Sequence, residues 1–187
     1  MTKERKFSIY ALILAALLIV IDQVTKIYAL NNFKPGEYVS VLGDFLQATY
    51  VENPGMAFGI SFGAGKVILS LFSVLASGGL VWYIFKCEKT KPIVRLALAI
   101  VLAGAFGNLI DRVFYGMLFQ GQPLFIGNVV DFILVDIPDI NFLGLNYTHW
   151  PVFNIADACV TIGAIMLILN YKFLPNISAK KDDENEN

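Results

Sequence analysis

The sequence is short of charge. Only 16% of its 187 residues are Asp, Glu, Lys or Arg, where a soluble globular domain carries about a quarter. The net charge of −1 leaves no basic surface to draw in a nucleic acid. Histidine is nearly absent: His149 is the single one, with no Cys or second His near it, so no zinc-type spacing exists. Cysteine is scarce too. Cys87 sits beside a Lys-rich stretch and Cys159 inside an apolar run, which excludes a disulfide framework. The serines at 8, 40, 61, 70, 73, 77 and 178 have no partner base, so neither a Ser–His nor a Cys–His nucleophile is legible.

What remains is hydrophobic: 57% of the chain, with a mean hydropathy of +0.65. It is gathered into four segments. The first is "FSIYALILAALLIVI" (7–21), continuing to about Leu30; the second is "VILSLFSVLASGGLVWYIF" (67–85). The third is "PIVRLALAIVLAGAFGNLI" (92–110), and the fourth runs from Asn154 to about Phe173. Each is close to the ~20 residues a helix needs to cross ~30 Å of hydrocarbon. The pattern predicts an α-helical membrane protein with four spanning helices, about 8–30, 66–86, 92–112 and 154–173. The basic "KERK" before the first run imitates a signal peptide. No small-residue cleavage site follows, and Asp22 and Lys26 continue the helical pattern, so an uncleaved first helix is expected.

Basic residues set orientation. Lys3, Arg5 and Lys6, then Lys86, Lys89, Lys91 and Arg95, then Lys172, Lys180 and Lys181 fall on one side of four spans, which is expected to be cytoplasmic. The connections 31–65 and 113–153 then lie outside. In them "EYVSVLGDFLQATYVEN" (37–53) reads as two strands around a Leu-Gly-Asp turn, and "NVVDFILVDI" as another, a small β element on the outer surface. Residues 1–174 read as one membrane-embedded domain and 175–187, "PNISAKKDDENEN", as a disordered cytoplasmic tail. No internal repeat is present.

This topology brings polar residues to the outer end of the bundle. Asp22 and Lys26 lie near the end of the first helix; Asn108, Asp111 and Arg112 end the third. Asn154 and Asp157 begin the fourth, and Asp131 lies in the outer connection. The second span carries none of them and reads as scaffold. Each residue has a plainer explanation. Asn154 and Asp157 fit an N-cap and its N3 acid, Asp22 and Lys26 an i,i+4 pair, and Asp131 the solvent face of a strand. Together they suggest a carboxylate pair at a partly buried, wet site. Close carboxylates share a proton, so one can act as base on a water while the other acts as acid. Intramembrane Asp and Arg also mark ion paths, so a small ion or proton transporter is the competing possibility. The polar groups gather at one face only, against a through-path. A non-catalytic scaffold is a further alternative, and it would give no reason for Asn53, Asn108 and Asn154 to converge.

The residues also resemble a family. Five blocks, "DQVTK" (22–26), "NPGMAFG" (53–59), "GNLIDR" (107–112), "VVDF" (129–132) and "FNIAD" (153–157), stand in the order found in lipoprotein signal peptidase, or signal peptidase II, an aspartic endopeptidase of bacterial membranes. The resemblance spans roughly residues 8–173. It implies a four-helix bundle with a small extracytoplasmic β-cradle in the bacterial inner membrane. It implies that Asp131 and Asp157 are the catalytic dyad, with Asp22, Asn53, Asn108, Arg112 and Asn154 around it. Lys26 and Asp111 are given orienting roles. The implied substrates are diacylglyceryl-modified prolipoproteins, cut on the N-terminal side of the lipidated cysteine. Membrane lipids are the other partners, and no metal or organic cofactor and no nucleic acid is implied. A monomer is expected. The links 113–127 and 135–151 are longer than the short form associated with the family, which bears on the shape of the groove.

Overall fold

The computed structural model describes residues 2–55, 63–86, 90–142 and 145–174. The tail 175–187, most of the "NPGMAFG" block, and Cys87 lie outside the described residues.

Helix α1 (Lys3–Asn32) starts where the Thr2 hydroxyl accepts from the Arg5 N–H at 3.2 Å. The side-chain oxygen meets one of the free donors of the first turn. Strands β1 (Val39–Leu42) and β2 (Leu46–Asn53) follow as a hairpin. Its turn places Gly43 at φ +56, the left-handed region that glycine enters freely, and Ser40 Oγ donates to the Gly43 carbonyl at 2.7 Å. Helix α2 (Gly63–Lys86) and helix α3 (Pro92–Ile110) come next; Pro92 sits in the first turn, where no N–H is needed. A π-helical turn, Asp111–Tyr115, leads into a short α4 (Gly116–Phe119). Strands β3 (Val129–Phe142) and β4 (Leu145–His149) precede α5 (Ile155–Leu169) and a 3₁₀ turn, Tyr171–Phe173.

Among the described residues three helical segments are long and apolar enough to cross a membrane: Lys3–Asn32, Gly65–Lys86 and Pro92–Phe119. The fourth, α5, has 15 residues, or about 22 Å at ~1.5 Å per residue. The helices surround α3, the most buried of them. Its N-terminal half packs Val94, Leu98, Ala99, Leu102 and Ala103 against Ala11 and Ala15 of α1 and Ile84 of α2. Glycine lets α3 and α5 meet backbone to backbone: a Cβ on Gly104 would collide with the Ala156 carbonyl, and one on Gly163 would stand 2.6 Å from Val101 Cγ2. Small residues at helix crossings are how bundles in lipid gain close packing. The outward faces keep large apolar side chains exposed, among them Ile13, Leu17 and Val24 of α1 and Leu71, Phe72 and Leu75 of α2. Patches of this extent mark a surface that meets lipid.

The strands form one antiparallel sheet in the order β1-β2-β3-β4. Strand β3 serves two ladders. Its first half, Val129–Val135, pairs with β2, and its second half pairs with β4 from Asp136 opposite His149 to Phe142 opposite Leu145. The register shifts between Asp136 and Ile140, across Pro138, which has no N–H to donate. Within the extended 135–151 stretch β3 and β4 thus pair antiparallel. The other long link, 113–127, folds back on the end of α3: the Phe125 N–H bonds the Val113 carbonyl at 3.2 Å and the Gly127 N–H bonds that of Arg112 at 3.0 Å. Helix α2 holds it there, with Ser70 Oγ donating to the Phe125 carbonyl (3.0 Å) and Lys66 Nζ to Asn128 Oδ1 (2.7 Å).

Arg95 corrects the sequence reading, which counts it with the basic loop. It is the fourth residue of α3 and falls on the helix's inward face, 3% exposed.

Candidate active site

Three elements converge where the sheet meets the bundle. The segment before α5 lies along the free side of β3: Phe132 and Ile133 donate to the Phe153 carbonyl at 3.1 and 2.8 Å, and Phe153 donates back to Ile133 at 3.0 Å. This short antiparallel contact sets Asn154 next to Asp131. Asn154 then caps α5: its Oδ1 accepts from the Asp157 N–H at 2.8 Å, and Asp157 Oδ2 accepts from the Asn154 N–H at 3.2 Å. The capping expected from "NIAD" is therefore real, and it coexists with a second set of contacts. Asn154 Nδ2 donates to Asp131 Oδ1 at 2.6 Å, while Asn53 Nδ2, from the adjacent strand, donates to Asp131 Oδ2 at 2.9 Å. Asn108 Nδ2 donates to Asp157 Oδ1 at 2.8 Å. The two carboxylates are thus joined through Asn154 and bracketed by three asparagine amides.

Asp131 is 2% exposed, so the solvent-face explanation fails. Burial, with the nearby Asp157 charge adding to it, pushes its carboxyl up to about 6; the Asn53 and Asn154 bonds and the Lys26 cation pull the other way. A carboxyl that titrates near 6 can exchange a proton close to neutral pH.

Beneath this pair lies a buried ion cluster. Lys26 Nζ sits 2.9 Å from Asp22 Oδ2 and 2.8 Å from Asp111 Oδ2, and donates to Asn108 Oδ1 at 2.9 Å. Lys26 and Asp111 are 0% exposed and Asp22 is 1% exposed. The i,i+4 pair on α1 is therefore no surface bridge. Each carboxylate also grips the backbone of another element: Asp22 Oδ1 accepts from Ala156 N–H at 2.8 Å, and Asp111 Oδ2 from Val130 N–H at 3.1 Å. These bonds tie α1 and α3 to the residues flanking Asp157 and Asp131. Gln23 binds the cluster from the side, its Nε2 donating to Asp22, to the Gly107 carbonyl and to Asp111 at 3.0–3.1 Å, while its Oε1 accepts from Tyr115 Oη at 3.0 Å. Arg112 donates to the Asn108 carbonyl at 3.4 Å, and its guanidinium acts electrostatically on Asp111, Asp157 and Asp131.

A family model described as signal peptidase (SPase) II matches residues 14–173. The chain belongs to the signal peptidase II family. The "Lipoprotein signal peptidase" of Chlorobaculum tepidum is 38% identical over 161 residues, covering 86% of this chain and 91% of that protein. The one from Clostridium novyi is 35% identical over 151 residues, covering 81% and 89%. A solved structure titled "Bacterial membrane enzyme structure by the in meso method at 2.3 A resolution" superposes with a TM-score of 0.65 at 29% identity, covering 95% of this chain and 92% of that one. The chain is thus a peptidase of the bacterial inner membrane and a multi-pass protein.

All nine polar residues singled out in the sequence stand in this one assembly. The sequence reading passed over Gln23 and Tyr115, although each is a polar group in a spanning helix and needs a partner there. An amide inside "DQVTK" was the available signal for Gln23.

Proposed function

We propose that this signal peptidase II family member removes signal peptides from diacylglyceryl-modified prolipoproteins. It cuts on the N-terminal side of the lipidated cysteine, with Asp131 and Asp157 as catalytic residues. The observation that carries this reading is the pairing of the two carboxylates through Asn154 and Asn108. The name of the relatives, lipoprotein signal peptidase, supports the substrate class.

In the mechanism we infer, a water lies between the pair and attacks the scissile carbonyl carbon. Asp157 takes a proton from the water while Asp131 gives its proton to the carbonyl oxygen, forming a neutral gem-diol. Asp157 then delivers its proton to the amide nitrogen as the C–N bond breaks, and Asp131 recovers a proton from a gem-diol hydroxyl. Products are a carboxylic acid and the free amine of the lipidated cysteine, with no acyl-enzyme. Asn53 and Asn154 hold the plane of Asp131, and Asn108 that of Asp157. Asp22, Lys26 and Asp111 keep Ala156 and Val130 in register. Arg112, beside Asn108, is placed to meet the substrate backbone. The chemistry calls for no metal or organic cofactor.

The orientation follows from the Lys/Arg counts: both termini cytoplasmic, the dyad near the outer face. A transporter is the weaker reading, because the ionised network at the dyad is separated from the charged far end of the bundle by apolar stretches, 11–21 of α1 and 96–107 of α3. The test is cleavage of a lipidated model substrate by purified protein with and without EDTA. Turnover that survives the chelator and vanishes with Asp131→Asn supports the reading; chelator inhibition restored by zinc overturns it.

A further inference from the structure

The end of the bundle remote from the dyad holds a second polar site. From Asp22 to Glu4 is about 27 Å along α1 at ~1.5 Å per residue. There a pocket of about 440 Å³ opens between the first turns of α1 and α3, lined by Lys3, Lys6, Phe7, Tyr10, Pro92 and Arg95, with Glu4 also at its wall. Arg95 is the unusual member. It is 3% exposed, its Nη1 donates to the Glu4 carbonyl at 2.6 Å and to Ser8 Oγ at 3.3 Å, and its guanidinium lies 4.8 Å from the Phe7 ring centroid. Its Nε is buried and has no acceptor among the described residues. A buried charged donor without a partner is costly. Among the described residues no carboxylate pairs with this guanidinium: its partners there are a carbonyl and a hydroxyl.

We propose that this pocket binds the phosphodiester headgroup of an anionic glycerophospholipid. Among the described lining residues three cations, Lys3, Lys6 and Arg95, face one carboxylate, that of Glu4, a net positive lining. A guanidinium matches a phosphate's geometry, and a desolvated one binds it more firmly than a surface lysine. The start of α3 adds to the field, because Lys91 at its N-cap position makes no side-chain cap bond. Lipid rather than free phosphate is the occupant because the apolar surface continues from the pocket. Tyr10, Ile13 and Leu17, at helical spacing on α1, are 65%, 51% and 56% exposed; an acyl chain fits along that stripe. Basic pockets between spanning helices are known to take anionic headgroups. This proposal does not rest on the catalytic reading.

The test is lipid retention by the full-length protein, measured by native mass spectrometry after exchange into phosphatidylglycerol or phosphatidylcholine. Phosphatidylglycerol should be retained and phosphatidylcholine not. Retention should fall about tenfold in Arg95→Gln and in the surface double variant Lys3→Gln/Lys6→Gln, with turnover of the double variant unchanged. The double variant alters only exposed side chains, so it keeps the proposal testable if Arg95→Gln does not fold. Equal retention of the two lipids, or retention unaltered in the double variant, overturns it. A melting temperature raised as much by millimolar inorganic phosphate as by phosphatidylglycerol also overturns the lipid assignment, in favour of a soluble anion.

Discussion

At the scale of the residue, Asp131 couples burial to proton affinity, and its effect on stability has a definite sign. Its carboxyl moves from 3.8 to about 6 on folding, so the folded state holds a proton that the unfolded state has lost between those values. Stability from this group is fully present below about pH 4 and is lost as the pH rises through 6; ~1.4 kcal/mol per unit makes the loss about 3 kcal/mol. Thermal melts of the wild type and of Asp131→Asn in the same detergent should therefore diverge in the variant's favour between pH 4 and 7. A gap independent of pH would show that Asp131 is not held neutral. Stability and function then oppose each other here, since Asp131→Asn and Asp157→Asn should each lower turnover by roughly 10⁴-fold, the two acting as a unit. Normal turnover in either at equal expression refutes the dyad. Lys26 behaves in the opposite manner. It sits between two buried carboxylates, and Lys26→Met strands both, at a cost of about 3–5 kcal/mol. The double change Lys26→Met/Asp111→Asn should recover part of that loss; chemical denaturation of the detergent-solubilised protein reads both.

At the scale of the element, the α3–α5 contact decides whether the proposed dyad can assemble at all, because α5 carries Asp157 and the residues before it lean on β3. Gly104→Ala would drive a methyl into the Ala156 carbonyl, which overpacking makes costly by about 3 kcal/mol. Gly78→Ala on α2, with nothing within 4 Å, should be neutral or slightly stabilising. Equal melting temperatures for the two would refute the close crossing. The helices were legible in the sequence because apolar length is a one-dimensional signal. The β1–β2 hairpin was legible too, since Val, Tyr and Thr runs bracket a Gly-Asp turn. The pieces hidden from the sequence depend on partners far along the chain. The π-helical turn at Asp111–Tyr115 exists where Asp111 must reach both Lys26 and the Val130 N–H. Strand β4 forms only because β3 runs on past Pro138 to offer it an edge. Arg95 read as loop because charge suggests water, yet it is buried against the start of α1. The capping box shows the converse: "NIAD" correctly gave a helix start, and the same two side chains also build the site.

At the scale of the whole molecule, the position of the dyad relative to the membrane governs what it can cut. A cysteine-free background with Asp44→Cys in the β1–β2 turn should react with an impermeant maleimide on intact cells, and Leu174→Cys should not. The reverse would turn the site inward. The proposed dyad lies at helix ends, where the sheet covers the bundle. The β1–β2 hairpin beside it exposes Tyr38, Val41, Leu42 and Phe45, each at 60–65%. A surface this apolar rests at the lipid boundary, so the scissile bond has to be held at the same depth. In the proposed reaction the two acyl chains of the substrate do this, since each buried CH₂ contributes ~0.8 kcal/mol. They can lie in lipid beside the outward faces of the helices while the cysteine backbone enters between β3 and α5. A peptide without them retains its hydrophobic signal segment but loses the second anchor, and with it the orientation of the bond relative to Asp131 and Asp157. Lost positioning costs rate even where binding persists. An unlipidated substrate of the same sequence should therefore be cut at least about 100-fold more slowly in the same bilayer. Equal rates for the two substrates would mean that the groove reads the signal segment alone, and would make the chain a general membrane aspartic peptidase.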